Sequence, residues 1–319
     1  MNVLVIDVGT SSMRGILFDH QGKCLTEKQE FYQATYLENS WVEQNPADWE
    51  NALYSILKKS VAEAESMGEK IEAISITSQR SSVIPVDENF RPLSNAIMWQ
   101  DKRTNHICES MEDLNDKVFS LCGSRVNPVF SGSKMMWFRE ERPEIYSKTY
   151  KFMVIPDYLI HLMTGRVCTD YTYGSRSLLM NIRTHEWDDE LLEIFHVEKE
   201  KLCELVEPGS VCGYTTKAFA EITGCQEGIP VIKEINETTA SVVLEYQLTS
   251  QNDDEETELY DVKEFYRMKY QDTRIYLLDF QRSANQVFDG TLPVYEDDGI
   301  ILGAVSYTHL RAHETGAYL

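Results

Sequence analysis

Positive charge is scarce in this chain. Its 319 residues carry 30 Lys and Arg against 52 Asp and Glu, a formal net charge of −22. That imbalance excludes a nucleic-acid groove or an anionic membrane surface as the main business of the protein. A few local groups can still hold a phosphate within such a field. Long apolar runs are lacking too, since none approaches the roughly 18 residues of a membrane span. The opening MNVLVIDVGTSS has no basic n-region and does not read as a signal peptide. Seven cysteines include no C-x-x-C pair, which reads as reduced thiols in a cytoplasmic protein. Internal repeats are absent. What is present is a globular composition, 42% hydrophobic and 11% aromatic, enough for a sizeable core.

The element pattern begins with two apolar runs, Val3 to Ile6 and Gly15 to Phe18, joined across the polar turn DVGTSSMR. Residues 24–32 suit a third strand. Asn45-Pro46 predicts an N-cap with proline in the first turn. Trp49, Leu53, Ile56, Leu57 and Val61 then recur at helical spacing, predicting a helix over 46–67. Ile71 to Thr77 alternates as a strand. This β-β-β-α-β order implies an α/β domain with a mixed sheet. From 103 to 224 the pattern reads as mainly helical, with segments near 103–113, 133–147 and 155–164, and Gly165 suits a helix C-terminus. Ile229 to Ile232 reads as a strand leading into helix-like TTASVVLEY. The segment QNDDEETELYDVKE (251–264), with seven acidic residues, reads as an exposed loop or a helix end. TRIYLLDF (273–280) is a strand candidate.

The sharpest local feature is IDVGTSSMRG (6–15). A glycine lets backbone approach a phosphate, and the hydroxyls of Thr10, Ser11 and Ser12 can donate to its oxygens. Asp7 suits a water-mediated magnesium ion, and Arg14 suits developing negative charge. An ordinary polar hairpin turn is the plain alternative. The segment is neither a Walker A loop nor a dinucleotide fingerprint, since glycine spacing and lysine are both missing.

IDVGTSSMRG, followed by ILFD and the Gly22 turn, resembles the first phosphate motif of the FGGY family of carbohydrate kinases. Seven further segments resemble that family in order: WVEQNPADW (41–49), ISITSQRSSVIPVD (74–87), NAIMWQDKRT (95–104), FSGSKMMWFRE (130–140), IPDYLIHLMTG (155–165), TDYTYGSRSLLMNIRTHEWDDELL (169–192) and GIPVI (228–232). The wording is nearest to glycerol kinases, with xylulokinases further off. The resemblance implies a ribonuclease-H-like N-terminal domain of the actin, sugar-kinase and heat-shock-chaperone ATPase superfamily, over residues 1–232. It implies ATP and Mg2+ as cofactors and a sugar or polyol as substrate, and homo-oligomerisation is compatible with it. By similarity Asp7, Thr10, Ser11, Ser12 and Arg14 face the nucleotide phosphates and metal, with Asp7 as metal ligand. Gln79, Arg80 and Ser81, with Trp99 and Asp101, form the substrate wall. Taken singly, Trp99 reads as core and Arg80 as surface charge, and only the family register assigns them to a site. His161 and His185 have no ligand-spaced partners and read as structural.

The chain also departs from the family. Ser81 stands where glycerol kinases place a glutamate, and Val129 where they carry a tyrosine. Xylulokinases carry Met-His at the Arg80-Ser81 position, so the resemblance does not secure xylulose either and leaves the sugar or polyol unassigned. Loss of hydroxyl-binding groups counts against glycerol itself as substrate. After GIPVI the family expects an aspartate that acts as base. Here KEINETTASVVLEYQL (233–248) resembles a heat-shock-chaperone connector, and Glu237 falls at the base position, either as a displaced base or as a helix cap. Residues 233–304 therefore read as an incomplete or chimeric second domain. QRSANQVF lacks the glycine of a second phosphate motif, and 305–319 resembles adapter-derived sequence. The expected function is a carbohydrate kinase with little activity in this form. A non-catalytic sugar-binding fragment and a chaperone-type or actin-like ATPase module are the alternatives.

Overall fold

A computed structural model describes residues 2–233 and, beyond them, 239–251, 257–271, 274–286, 295–296, 299–300 and 306–308. Contacts divide the chain into two units, Met1–Ile235 and Asn236–Leu319. In the first unit β1 (Val3–Val8) buries Leu4, Ile6 and Val8 on one face. β2 (Ser12–Phe18) and β3 (Cys24–Phe31) follow as antiparallel neighbours, as the two apolar runs and their polar turn require. Two short strands, β4 (Thr35–Tyr36) and β5 (Val42–Gln44), lead to α1 (Pro46–Ser66). Asn45 caps this helix by accepting the Ala47 amide, and Trp49, Leu53, Ile56 and Leu57 are its buried stripe. Where α1 crosses β2 there is no room for a side chain: a Cβ on Gly15 would lie 2.3 Å from Ile56 Cγ2.

After β6 (Ala73–Ser78) come β7 (Val83–Val86), β8 (Ala96–Ile97), α2 (Asn105–Ser110), α3 (Asn115–Cys122), α4 (Ser131–Glu141) and α5 (Pro143–Tyr146). The chain continues through β9 (Lys151–Val154), α6 (Ile155–Thr164), β10 (Cys168–Asp170), α7 (Tyr171–Gly174), β11 (Met180–Asn181), β12 (Glu186–Trp187) and α8 (Asp189–Ile194). β13 (Glu204–Val206), β14 (Val211–Tyr214), α9 (Lys217–Thr223) and β15 (Pro230–Lys233) complete it.

The main sheet has the order β14-β15-β6-β1-β2-β3. β1 and β15 both run parallel to β6, while the outer pairs are antiparallel. This is the mixed sheet expected. α1 and α6 lie against it, and α9 packs on both helices, around one core that includes Trp49, Ile74, Leu159 and Phe219. A second sheet, β4-β5-β8-β7-β9, carries its own core with Trp137, Phe138, Leu179 and Phe195. The mainly helical reading of 103–224 needs correction here. Five strands of two to four residues lie between Cys168 and Tyr214, and β9 lies between helices. Runs that short give no usable period of two.

In the second unit β16 (Thr239–Gln251), β17 (Thr257–Gln271) and β18 (Arg274–Gln286) form antiparallel ladders. The helix-like reading of TTASVVLEY is therefore corrected to strand from Thr239 onward, and its first residue lies outside the described residues. Thr239, Val242, Val243 and Tyr246 are stiff or aromatic residues that favour a pleated ladder. The acidic segment is corrected in part: residues 257–264 belong to β17, and 252–256 lie outside the described residues. TRIYLLDF is strand from Arg274 onward, as expected. Among the described residues no helix is long and apolar enough to cross a membrane.

Candidate active site

The hairpin between β1 and β2 is closed by its own backbone. Asp7 pairs with Arg14 and Val8 with Met13, and the Gly9 amide donates to the Ser12 carbonyl at 2.9 Å. Asp7, Ser11 and Arg14 are exposed, so the acidic, hydroxyl and basic groups predicted to meet phosphate stand at the mouth of the turn. Ser12 is half-buried, its hydroxyl accepting from Gln29 Nε2 at 3.0 Å. Tyr32 braces the turn from below, donating its hydroxyl to the Gly9 carbonyl at 2.9 Å. Burial pushes that phenol up in pKa, so it remains a donor.

β6 runs beside β1 and delivers Gln79 directly onto this turn. The Gln79 amide donates to the Val8 carbonyl at 2.9 Å, and its Nε2 reaches the Gly9 carbonyl at 3.4 Å. Thr10 Oγ1 donates to Gln79 Oε1 at 3.1 Å and accepts from Trp99 Nε1 at 3.3 Å. The predicted phosphate hairpin and the predicted substrate wall thus meet through one threonine hydroxyl. Trp99 is 39% exposed, and its amide donates to Ser82 Oγ. A half-open indole beside polar groups offers an apolar face within a polar rim.

Arg80 donates to the Thr172 carbonyl at 3.1 Å and lies 5.0 Å from the Tyr173 ring centre. Ser81 is buried with φ +67°, a left-handed conformation uncommon for a residue with a side chain. Its hydroxyl donates to the Arg176 carbonyl at 3.3 Å.

Asp101 is placed differently from its neighbours. It is 1% exposed, and its carboxylate accepts from the Val42 amide (2.5 Å), the Arg103 amide (2.8 Å), Arg103 Nε (3.0 Å) and Arg103 Nη2 (2.9 Å). Arg103 in turn stacks on Trp41 and Trp137. The geometry makes Asp101 a brace for the Trp99 loop. Glu237 lies outside the described residues.

Sequence reasoning missed three supporting groups. Tyr173 reaches back to Ser78: it accepts from the Ser78 amide at 2.9 Å and donates to the Ser78 carbonyl at 2.8 Å. Lys233, fully buried at the end of β15, donates to Asp157 at 2.6 Å and Thr169 at 3.2 Å, with Asp170 at 3.7 Å. Burial pushes the Lys233 ammonium toward neutrality, but Asp157 and Asp170 outweigh it and its pKa is raised. Lys134, also buried, donates to the carbonyls of Pro128 (2.7 Å), Val129 (2.9 Å) and Phe130 (3.3 Å). Burial lowers its pKa to about 7, with Asp101 opposing. A lysine closing an apolar strand, as in PVIK, was the one available sequence signal.

Among the described residues no three His, Cys, Asp or Glu side chains gather as a metal cage. Asp7 alone at the hairpin fits a magnesium ion held mainly by water and phosphate oxygens.

A family model described as the FGGY family of carbohydrate kinases, N-terminal domain, matches residues 2–243. The chain is 32% identical over 220 residues to a xylulose kinase of Lactococcus lactis, covering 69% of this chain and 44% of that protein. It is 34% identical over 245 residues to a glycerol kinase of Thermococcus gammatolerans, covering 75% and 49%. A crystal structure of Plasmodium falciparum glycerol kinase with ADP superposes with a TM-score of 0.68 at 26% identity, over 73% of this chain and 48% of that one. The chain spans about half the length of the curated relatives it matches.

Proposed function

Because the chain belongs to the FGGY family of carbohydrate kinases, we propose that it supplies the sugar-binding wall and one phosphate-binding hairpin of an ATP-dependent sugar or polyol kinase. The observation that carries this is the Thr10 hydroxyl, shared between Gln79 on the wall and Trp99 beside it. A phosphoryl transfer enzyme must hold acceptor hydroxyl and phosphate in one geometry, and positioning supplies most of its rate. In this reading the bonds of Thr10 to Gln79 and Trp99, inside a single unit, support that geometry.

In this reading Trp99 stacks on the carbon skeleton and Arg80 donates to substrate hydroxyls. Ser11 and Ser12, with the exposed Arg14, meet the transferred phosphate. A magnesium ion, when bound at Asp7, would neutralise phosphate charge. Glu237 is the residue proposed to take the proton from the attacking hydroxyl. Ser81 offers no carboxylate to a polyol, which favours a sugar over glycerol.

Calorimetry with xylulose and with glycerol, followed by ADP release in the presence of ATP, tests the reading. Binding of xylulose or another sugar more tightly than glycerol is expected, with little or no turnover by these 319 residues. Failure to bind any sugar or polyol of a broad panel would sink it. Binding with no turnover in a chain extended to the relatives' length would favour a sugar-binding role instead. That second reading rests on the wall lying wholly within residues 2–233.

A further inference from the structure

Beneath the substrate wall lies a single turn of helix, α7, whose Tyr173 side chain reaches the wall. Asp170 caps it, accepting from the Thr172 amide (2.6 Å), the Thr172 hydroxyl (2.6 Å) and the Tyr173 amide (3.2 Å). The capped turn fixes Tyr173, whose ring is buried. β15 pairs with β6 as far as Lys233 opposite Ile76. Two residues further along β6, the Ser78 amide and carbonyl are both met by the Tyr173 hydroxyl, at 2.9 and 2.8 Å. A phenol there does for Ser78 what a neighbouring strand does for Ile76. Gln79, Arg80 and Ser81 follow at once.

The ring itself is also engaged. Lys233 Nζ lies 4.2 Å and Arg80 Cζ 5.0 Å from its centre, within cation–π reach of an aromatic face. Burial raises the pKa of the phenol, against Ser78, Lys233 and Arg80, so the proton donated to the Ser78 carbonyl stays in place at neutral pH. The Thr172 carbonyl holds Arg80, and the Arg176 carbonyl takes the Ser81 hydroxyl. Residues 170–176 thus form a saddle under residues 78–81.

We propose that Tyr173 is a positioning residue for the substrate wall, setting Gln79 and Arg80 through its grip on Ser78. Its link to Lys233 ties that wall to the end of β15. The inference rests on the kinase reading only for the identity of the ligand; the mechanical claim is independent of it.

The test is Tyr173→Phe in the full chain, which keeps the ring for both cations and removes only the hydroxyl. Hydrogen exchange in peptides covering 76–82 is expected to quicken by at least about tenfold. Peptides from α1 and from β2 should be unchanged. Xylulose or glycerol, whichever the wild type binds better, should bind about tenfold more weakly while the melting temperature moves by only a few degrees. Unchanged exchange at 76–82 overturns the proposal, and so does uniform acceleration across the chain. Normal sugar affinity despite local loosening also overturns it. If the wild type binds no sugar or polyol of a broad panel, the kinase reading fails, and exchange at 76–82 still decides whether Tyr173 holds the wall.

Discussion

Lys233 and Asp157 form an ion pair at 2.6 Å with both side chains withdrawn from solvent, the lysine entirely. They lie 76 residues apart in the chain, Lys233 closing β15 and Asp157 opening α6 behind Pro156. Asp170 Oδ2, buried and without a hydrogen-bond partner, stands 3.7 Å from the same ammonium. One positive charge therefore serves two buried carboxylates. Lys233→Met leaves both uncompensated and is expected to cost about 3–5 kcal/mol. For a domain of this size that is roughly 2–4 °C in melting temperature per kcal/mol. Adding Asp157→Asn to Lys233→Met should restore part of the loss, as measured by thermal unfolding. A melting temperature unmoved by Lys233→Met would refute the account.

The Thr10 hydroxyl is expected to matter more for binding than for stability. Thr10→Val removes two neutral hydrogen bonds, each worth about 0.5–1.5 kcal/mol, at a partly open site. The melting temperature should fall by a few degrees at most. Trp99, freed from Thr10, should become more accessible to acrylamide, read as fluorescence quenching. Quenching identical to wild type would mean that the hairpin and the wall are not joined there.

A sharper structural prediction concerns the start of α4. A Cβ on Gly132 would lie 2.4 Å from the Ser177 carbonyl oxygen, a backbone atom that cannot swing aside. The Gly132 amide bonds that same oxygen at 2.8 Å. Gly132→Ala should therefore destabilise by about 1–3 kcal/mol through overpacking. Gly224→Ala, with only Val61 near at 3.9 Å but a backbone at φ +78°, should cost about 1 kcal/mol by strain alone. Denaturant midpoints of the two variants rank the two causes. A reversed order would show that the α4 start yields more than its packing suggests.

His161 gives a pH dependence with a defined sign. Its ring centre lies 3.9 Å from that of Phe90, its Nδ1 has no hydrogen-bond partner, and burial lowers its pKa. The unfolded chain binds the proton first, near pH 6.5. Stability should be full above that pH and fall as pH drops below it, until the folded protein is protonated as well. Melting temperatures between pH 7.5 and 5.5 check this against His161→Gln. If the variant loses stability as steeply as the wild type over that range, His161 is not responsible.

Much of the site was readable from residue order, and the reasons are local. The hairpin follows from two apolar runs around DVGTSSMR, and α1 from Asn45-Pro46 and its apolar stripe. Both are short-range patterns whose physics lies within about twenty residues. The second sheet was not readable, because strands such as Ala96–Ile97 are too short to show a period and exist only through their neighbours. Asp101 joins the substrate wall by its sequence surroundings alone, and its four hydrogen bonds, from Val42 and Arg103, were not legible there. Tyr173 was hidden for the same reason: its partner Ser78 is 95 residues away. At 239–251 the sequence allowed a helix, and pairing with 257–269 decided for strand.

The left-handed backbone at Ser81 restricts what evolution or an engineer can place there. Changing substrate choice at this position is a matter of conformation before chemistry. Glycine, asparagine and aspartate meet that backbone at small cost, whereas valine, isoleucine and threonine are strained there whatever their fit to a sugar. An asparagine amide can still donate toward the Arg176 carbonyl that the Ser81 hydroxyl meets, whereas a buried carboxylate cannot. A branched apolar surface there would need the turn itself rebuilt.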